Sequence, residues 1–175
     1  WSSWAINRMK TKTSKKQAGK IASRFQNIHY YFRDGLTLSY IGQYAPNLRI
    51  NSYGVFDVTG SSIFTVKNPY MIMGNFVAKL TKYLGKNYLD HTVVFQIEEN
   101  KDLLMLTSDS TEIINLVMQI IKKQKNEPRY DYLLNEQKEI DRLVYSLYGL
   151  NADDIKEVET WYARRYPKLA HLCDI

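Results

Sequence analysis

Toward the C-terminus, apolar residues recur at helical spacing. Ile113, Leu116, Val117, Ile120 and Ile121 form one stripe of the kind a helix buries. Asp109 and Glu112 stand three apart at its start, the separation of a capping box. Lys122, Lys123 and Lys125 close it, where cations suit the negative end of the helix dipole. Beyond Pro128, a second stripe contains Ile140, Leu143, Val144 and Leu147, and Gly149 follows where a left-handed C-cap is wanted. Asn151 can cap a third helix bearing Ile155, Val158 and Trp161, which Pro167 ends. Three helices with short connections must bury these faces against one another or against a sheet.

Upstream, Asn68-Pro69 opens another helix, with Asn as N-cap and Pro at the first helical position. The pattern carries it to about residue 89, with Ile72, Phe76, Leu80, Tyr83 and Leu84 on one face. Residues 28–66 are β-branched and aromatic positions broken by Gly, Pro and Asn, which predicts short strands and tight turns. Short apolar runs at 92–97 and 103–106 read as further strands. Residues 10–25 have few breakers but thin apolar spacing, so helix is only a default there. The predicted class is α+β: a small sheet-rich domain with a long helix, then a bundle of three helices. The expected parts are a basic N-terminal segment (1–27), the α+β domain (28–106) and the helical region (107–175).

Composition narrows the function classes. A chain of 175 residues with 45% hydrophobic positions can bury a real core and is not disordered. One cysteine, Cys173, excludes an internal disulfide framework and a Cys-rich zinc site, as suits a reducing cytoplasm. No apolar run reaches membrane-spanning length, and the basic N-terminus does not resemble a signal peptide. Because it begins at Trp1, the chain is expected to be a piece of a longer polypeptide. Net charge is +6, and its placement is uneven. Residues 1–24 hold seven cations and no carboxylate; 25–106 hold seven against six, and 107–175 ten against twelve. A basic excess confined to one segment is expected of something lying along phosphate, although a solvated linker has the same composition.

Two stretches carry a family resemblance. The first, GLTLSYIGQYAPNLRINSYGVFDVTGSSIF at 35–64, runs from a Gly-Leu-Thr turn through a polar loop with Arg49 to Phe56-Asp57-Val58 and Gly60-Ser61-Ser62-Ile63-Phe64. With the amphipathic helix after it, this succession resembles the target-recognition domain of bacterial adenine-specific DNA methyltransferases, as found in fused (type IIG) restriction–modification enzymes and BREX-like phage-exclusion systems. The second, NEQKEIDRLVYSLYGLNADDIKEV at 135–158, looks like the C-terminal helical tail of the same enzymes, through Ile140, Asp141, Val144, Tyr145, Leu147, Tyr148, Gly149 and Leu150. The resemblance implies a cytoplasmic, non-catalytic specificity fragment. Its partners would be double-stranded DNA and an upstream methyltransferase domain of the same polypeptide. S-adenosylmethionine would serve the parent enzyme and not this fragment, and whether the parent also cleaves DNA stays open.

The chemistry of methylation is missing from the chain itself. There is no G-x-G for a cofactor turn, and Asn68-Pro69-Tyr70 lacks the second proline of a base-gripping Asn-Pro-Pro-aromatic loop. Helix capping accounts for those three residues. The rival reading is a metal-dependent nuclease using Asp90, Glu99 and Lys101, in the carboxylate and Glu-x-Lys form of restriction enzymes. Glu136-Gln137-Lys138 has the same form but sits in a helical pattern. A third reading makes the helical tail a protein–protein module that holds the methyltransferase half. His29, His91 and His171 lack metal-ligand spacing and are expected to be partly buried ring donors.

Candidate DNA contacts fall in two groups. Lys10, Lys12, Lys15, Lys16, Lys20 and Arg24 suit phosphate. Thr37, Ser39, Tyr40, Gln43, Asn47, Arg49, Asn51, Ser61 and Ser62 supply donors and acceptors from loops. Arg49 can grip guanine O6 and N7 with two parallel bonds, and Gln43 or Asn47 can do the corresponding job on adenine. Ser61 and Ser62, beside Gly60, suit phosphate. The bland reading of Arg49 is an exposed strand-end cation or an ion pair with Asp57. Tyr30, Tyr31 and Phe32 form an aromatic cluster able to stack on a base, but strand alternation would bury at least one of them, and core is the expected role of two. Reversing three lysines of the 10–24 cluster to Glu should weaken binding to all duplexes alike. The slope of log affinity against log salt should shrink by about 0.9 for each phosphate no longer neutralised, and an unchanged slope would identify a linker.

Overall fold

The computed structural model describes residues 2–4, 7–8, 27–39, 48–51, 54–56, 60–64, 68–89 and 109–175. The expected helix at 10–25 and the expected strands at 92–97 and 103–106 lie outside these residues. The chain is α+β. Three short strands, β1 (Gly35–Leu38), β2 (Leu48–Asn51) and β3 (Ser62–Ile63), form an antiparallel sheet in the order β2-β1-β3. Among the described residues five helices follow: α1 (Pro69–Val77), α2 (Lys79–Leu84), α3 (Thr111–Asn126), α4 (Gln137–Leu147) and α5 (Ala152–Arg165). A π-turn at Gly85–Leu89 follows α2, and a 3-10 segment at Pro167–Leu172 follows α5.

The local signals for helix ends are realised with one displacement. Asn68 accepts from the Tyr70 N–H, with Pro69 at the first helical position of α1. The α3 cap is Ser110 rather than Asp109: its hydroxyl accepts from the Ile113 N–H and donates to Glu112. At the end of α4, Gly149 is left-handed (φ 66°). There Leu150 N–H reaches Tyr145 O and Gly149 N–H reaches Ser146 O, the paired bonds of a Schellman motif. Asn151 and Asp154 form a reciprocal capping box at α5.

The helix expected to run unbroken from 69 to 89 is interrupted at Ala78, which is extended (φ −64°, ψ 144°). Side chains from α4 satisfy the backbone groups that the break exposes. Gln137 Nε2 donates to Val77 O at 3.1 Å, and Lys79 N–H donates to Asp141 Oδ1 at 2.8 Å. The break redirects the apolar face. Ile72 and Phe76 of α1 meet Leu36 and Leu38 of β1, whereas Ala78 and Leu80 join Met71 and the helical core of Ile113, Val117, Ile120, Ile140, Val144 and Val158. This core draws on both sides of residue 106. Gly74 lets α1 approach α3 closely, because a Cβ there would stand 2.3 Å from Ile113 Cγ2.

The buried face of α4 is also rotated from its apolar stripe. Leu147 is exposed, and Gln137 and Asp141 are buried with Ile140, Val144 and Tyr145. The reason is an ionic cluster around Lys79, which is 3% exposed. Its ammonium lies 2.7 Å from Glu159 Oε2 and 3.7 Å from Asp141 Oδ2, and donates to Leu172 O at 2.9 Å. Tyr145 donates to the other oxygen of Glu159 at 2.7 Å. Asp141 Oδ1 takes two N–H bonds, from Lys79 and Gln137, but Oδ2 has no hydrogen bond. Burial therefore prevails over the neighbouring ammonium and raises this carboxyl to about 6.

The cluster makes stability sensitive to both its cation and its acid. Lys79→Met should cost about 3–5 kcal/mol, because two buried carboxylates lose their counter-ion. Asp141 has a folded pKa above its unfolded one, so its contribution is fully present below the unfolded pKa and lost as pH rises through about 6. The unfolding free energy of the native chain minus that of Asp141→Asn should therefore fall between about pH 4 and pH 6. A flat difference would show that the carboxyl titrates normally.

Candidate nucleic-acid interface

Strand alternation gives the sheet two unlike faces. Leu36, Leu38, Leu48 and Ile63 point toward α1 and pack with Ile72 and Phe76. The register pairs Thr37 with Arg49 on one side and with Ser62 on the other. These three side chains therefore share a row on the opposite face, with Thr37 Oγ1 and Ser62 Oγ 3.2 Å apart. Arg49 is exposed at the edge of this row and Thr37 is buried within it. Asn51, two residues along β2, opposes Gly35, which offers no side chain. Ser39 continues the polar alternation of β1 and is half-buried. Ser61 contributes backbone, its carbonyl accepting from Leu38 N–H at 2.8 Å.

Five of the proposed loop residues thus converge on one sheet face: Thr37, Ser39, Arg49, Asn51 and Ser62. They are strand residues or strand neighbours, not loop residues as expected, and a sheet holds them in fixed spacing. Tyr40, Gln43 and Asn47 lie outside the described residues, as do Lys10, Lys12, Lys15, Lys16, Lys20 and Arg24. Asp57, the alternative partner for Arg49, lies outside them too, and so do Asp90, Glu99 and Lys101 of the nuclease reading and His91.

An aromatic group borders the polar row. Phe64, on the same face as Ser62, stacks on Tyr30 with ring centroids 4.7 Å apart. Phe56 lies 5.4 Å from Phe64 and receives Tyr31 edge-on at 5.3 Å. Tyr30 is in a 3-10 turn, Ile28–Tyr30, instead of the expected strand, and the turn enters through left-handed Asn27 (φ 55°). No member of the 30–32 trio is fully buried: Tyr30 and Tyr31 are half-buried and Phe32 is exposed. Residue alternation therefore does not sort them. Arg33, which sequence reasoning passed over, holds its guanidinium 5.8 Å from the Tyr30 ring. His29 and His171 are exposed rather than partly buried. Among the described residues no group of three His, Cys, Asp or Glu could hold a metal ion, and no helix is long and apolar enough to cross a membrane.

No protein-family model matches the chain, and no curated protein matches it.

Phe32 occupies left-handed backbone (φ 61°), a conformation costly for a bulky side chain, and its N–H is tied to Gly54 O at 2.9 Å. Its ring is 45% exposed, so packing offsets little of that cost. Phe32→Asn should leave thermal stability unchanged or raise it by up to about 1 kcal/mol, since Asn tolerates this region. A clear loss of stability on melting would show that the ring is a packing residue.

Proposed function

We propose that this chain is the DNA-recognition part of a bacterial adenine-specific DNA methyltransferase or fused restriction–modification enzyme. It would work in the cytoplasm and hold duplex DNA for a catalytic domain elsewhere in the same polypeptide, where S-adenosylmethionine would bind. The observation that carries the reading is the cross-strand row Thr37–Arg49–Ser62. It sets exposed Arg49 in line with buried Thr37 and half-buried Ser62, on the sheet face opposite α1. That combination suits a base edge flanked by phosphate. The two sequence resemblances favour DNA, and the basic excess in residues 1–24 suits its phosphate backbone.

In this reading the chain supplies positioning and specificity, not bond chemistry. Arg49 offers two parallel N–H donors to guanine, while Thr37 and Ser62 lie in register beside it. The hydroxyl contact between them fixes their rotamers before any ligand arrives. Asn51, next along the same face of β2, extends the polar row.

The test begins by selecting a preferred duplex from a random library with the intact chain. Arg49→Ala should then cost about 1–3 kcal/mol on that site and little on random duplex, measured by fluorescence anisotropy. Equal losses on both would make Arg49 a phosphate contact. No enrichment of any sequence would remove the specificity role altogether.

A further inference from the structure

The turn that leads into β1 presents an apolar ring on strained backbone. Phe32 keeps its left-handed φ of 61° while its N–H donates to Gly54 O at 2.9 Å. Gly or Asn would adopt that backbone at little cost, whereas a Phe must recover the cost through contacts of its ring. Within the fold the ring recovers little, because it is 45% exposed. Val55, next to Gly54, is exposed as well, so two apolar side chains stand out from segments joined at this one hydrogen bond.

The turn is anchored on both sides. Tyr30 stacks on Phe64 and Tyr31 meets Phe56 edge-on, which seats the residues before Phe32. Gly54 lies hard against β2: a Cβ on it would come within 2.4 Å of Asn51 Oδ1. Asn51 belongs to the polar row, two residues from Arg49 on the same face. Phe32 is therefore held, through Gly54, at the Asn51 end of that row. Arg33 and Asp34, which follow it, are both exposed and offset each other in charge. What the turn offers is thus a ring and no net charge. A phosphate gains little from such a group, but the flat face of a base gains a stack. Bases inside a duplex show no face, so the contact requires one step to open, as it does around apolar side chains inserted into kinked DNA.

We infer that Phe32 is a wedge that enters one base step of duplex DNA beside the polar row and stacks on the base it uncovers. The inference rests on the DNA-recognition reading. It adds to that reading a residue that opens the duplex, where Arg49 reads a base edge. It also accounts for the pairing of strain with exposure, since the ring gains its missing contacts when a base covers it.

The test uses the intact chain and the duplex selected above, with 2-aminopurine placed at each position in turn. Binding should raise the fluorescence at one step. Phe32→Tyr should keep the rise. Phe32→Asn, its fold checked by melting, should lose the rise and bind about tenfold more weakly, as expected for one lost base–aromatic stack. Without any substitution, a mismatch at the responsive step should tighten binding by the native chain about tenfold, because part of the unstacking is already done. Binding with no rise at any position, a rise that Phe32→Asn keeps or Phe32→Tyr loses, or equal affinity for matched and mismatched duplex overturns the inference and leaves the recognition reading standing. A native chain that binds or enriches no duplex overturns both.

Discussion

The arrangement of this chain depends on one buried charge. An ammonium removed from water costs several kcal/mol unless strong partners surround it, and Lys79 finds them on three separate elements. Asp141 comes from α4, Glu159 from α5 and the Leu172 carbonyl from the closing 3-10 segment. Apolar contacts tolerate sliding by a fraction of a side chain. A shared ammonium does not, because each displaced partner leaves an uncompensated charge. The cluster therefore fixes the positions at which the helices pack, while the surrounding Ile, Val and Leu side chains supply most of the burial.

The sheet is governed differently. It has little area of its own and obtains its stability from α1, which presents Ile72 and Phe76 to Leu36 and Leu38. Because one face is pinned in this way, the strand period of two assigns the other residues outward. The polar row is thus a consequence of the hydrophobic one. The aromatic group of Tyr30, Tyr31, Phe56 and Phe64 closes one end of the outer face, where Gly35 leaves room for the Phe64 ring.

What could be read from the sequence was what local chemistry decides. Asn68-Pro69, Gly149 and Asn151 mark helix ends because caps and left-handed turns involve neighbours within a few residues. Asn27 carries a comparable turn signal, since Asn tolerates left-handed backbone, and a 3-10 turn stands after it in place of the expected strand. The break at Ala78 was not legible, since its justification lies in Gln137 and Asp141, about sixty residues away. The same pair obscures the inner face of α4: a polarity stripe counts Leu147 as inside and Asp141 as outside, and a buried ion pair reverses both. In the candidate site, residue types pointed to Thr37, Arg49 and Ser62 individually, but only the strand register brings them together.

The capped break between α1 and α2 bears on how such a chain can be recombined. The simplest exchange of the sheet would cut after the last strand and splice on the helices of another chain. Here the helix under the sheet bends where Gln137 and Asp141 complete its backbone, so its direction is encoded in α4 as well as in its own sequence. A graft that carried residues 27–89 into a tail lacking that amide and carboxylate would leave Val77 O and Lys79 N–H unsatisfied at the bend. The inheritable unit is therefore the sheet together with α1, α2 and α4, and a crossover that keeps the bend satisfied carries Gln137 and Asp141 along with it.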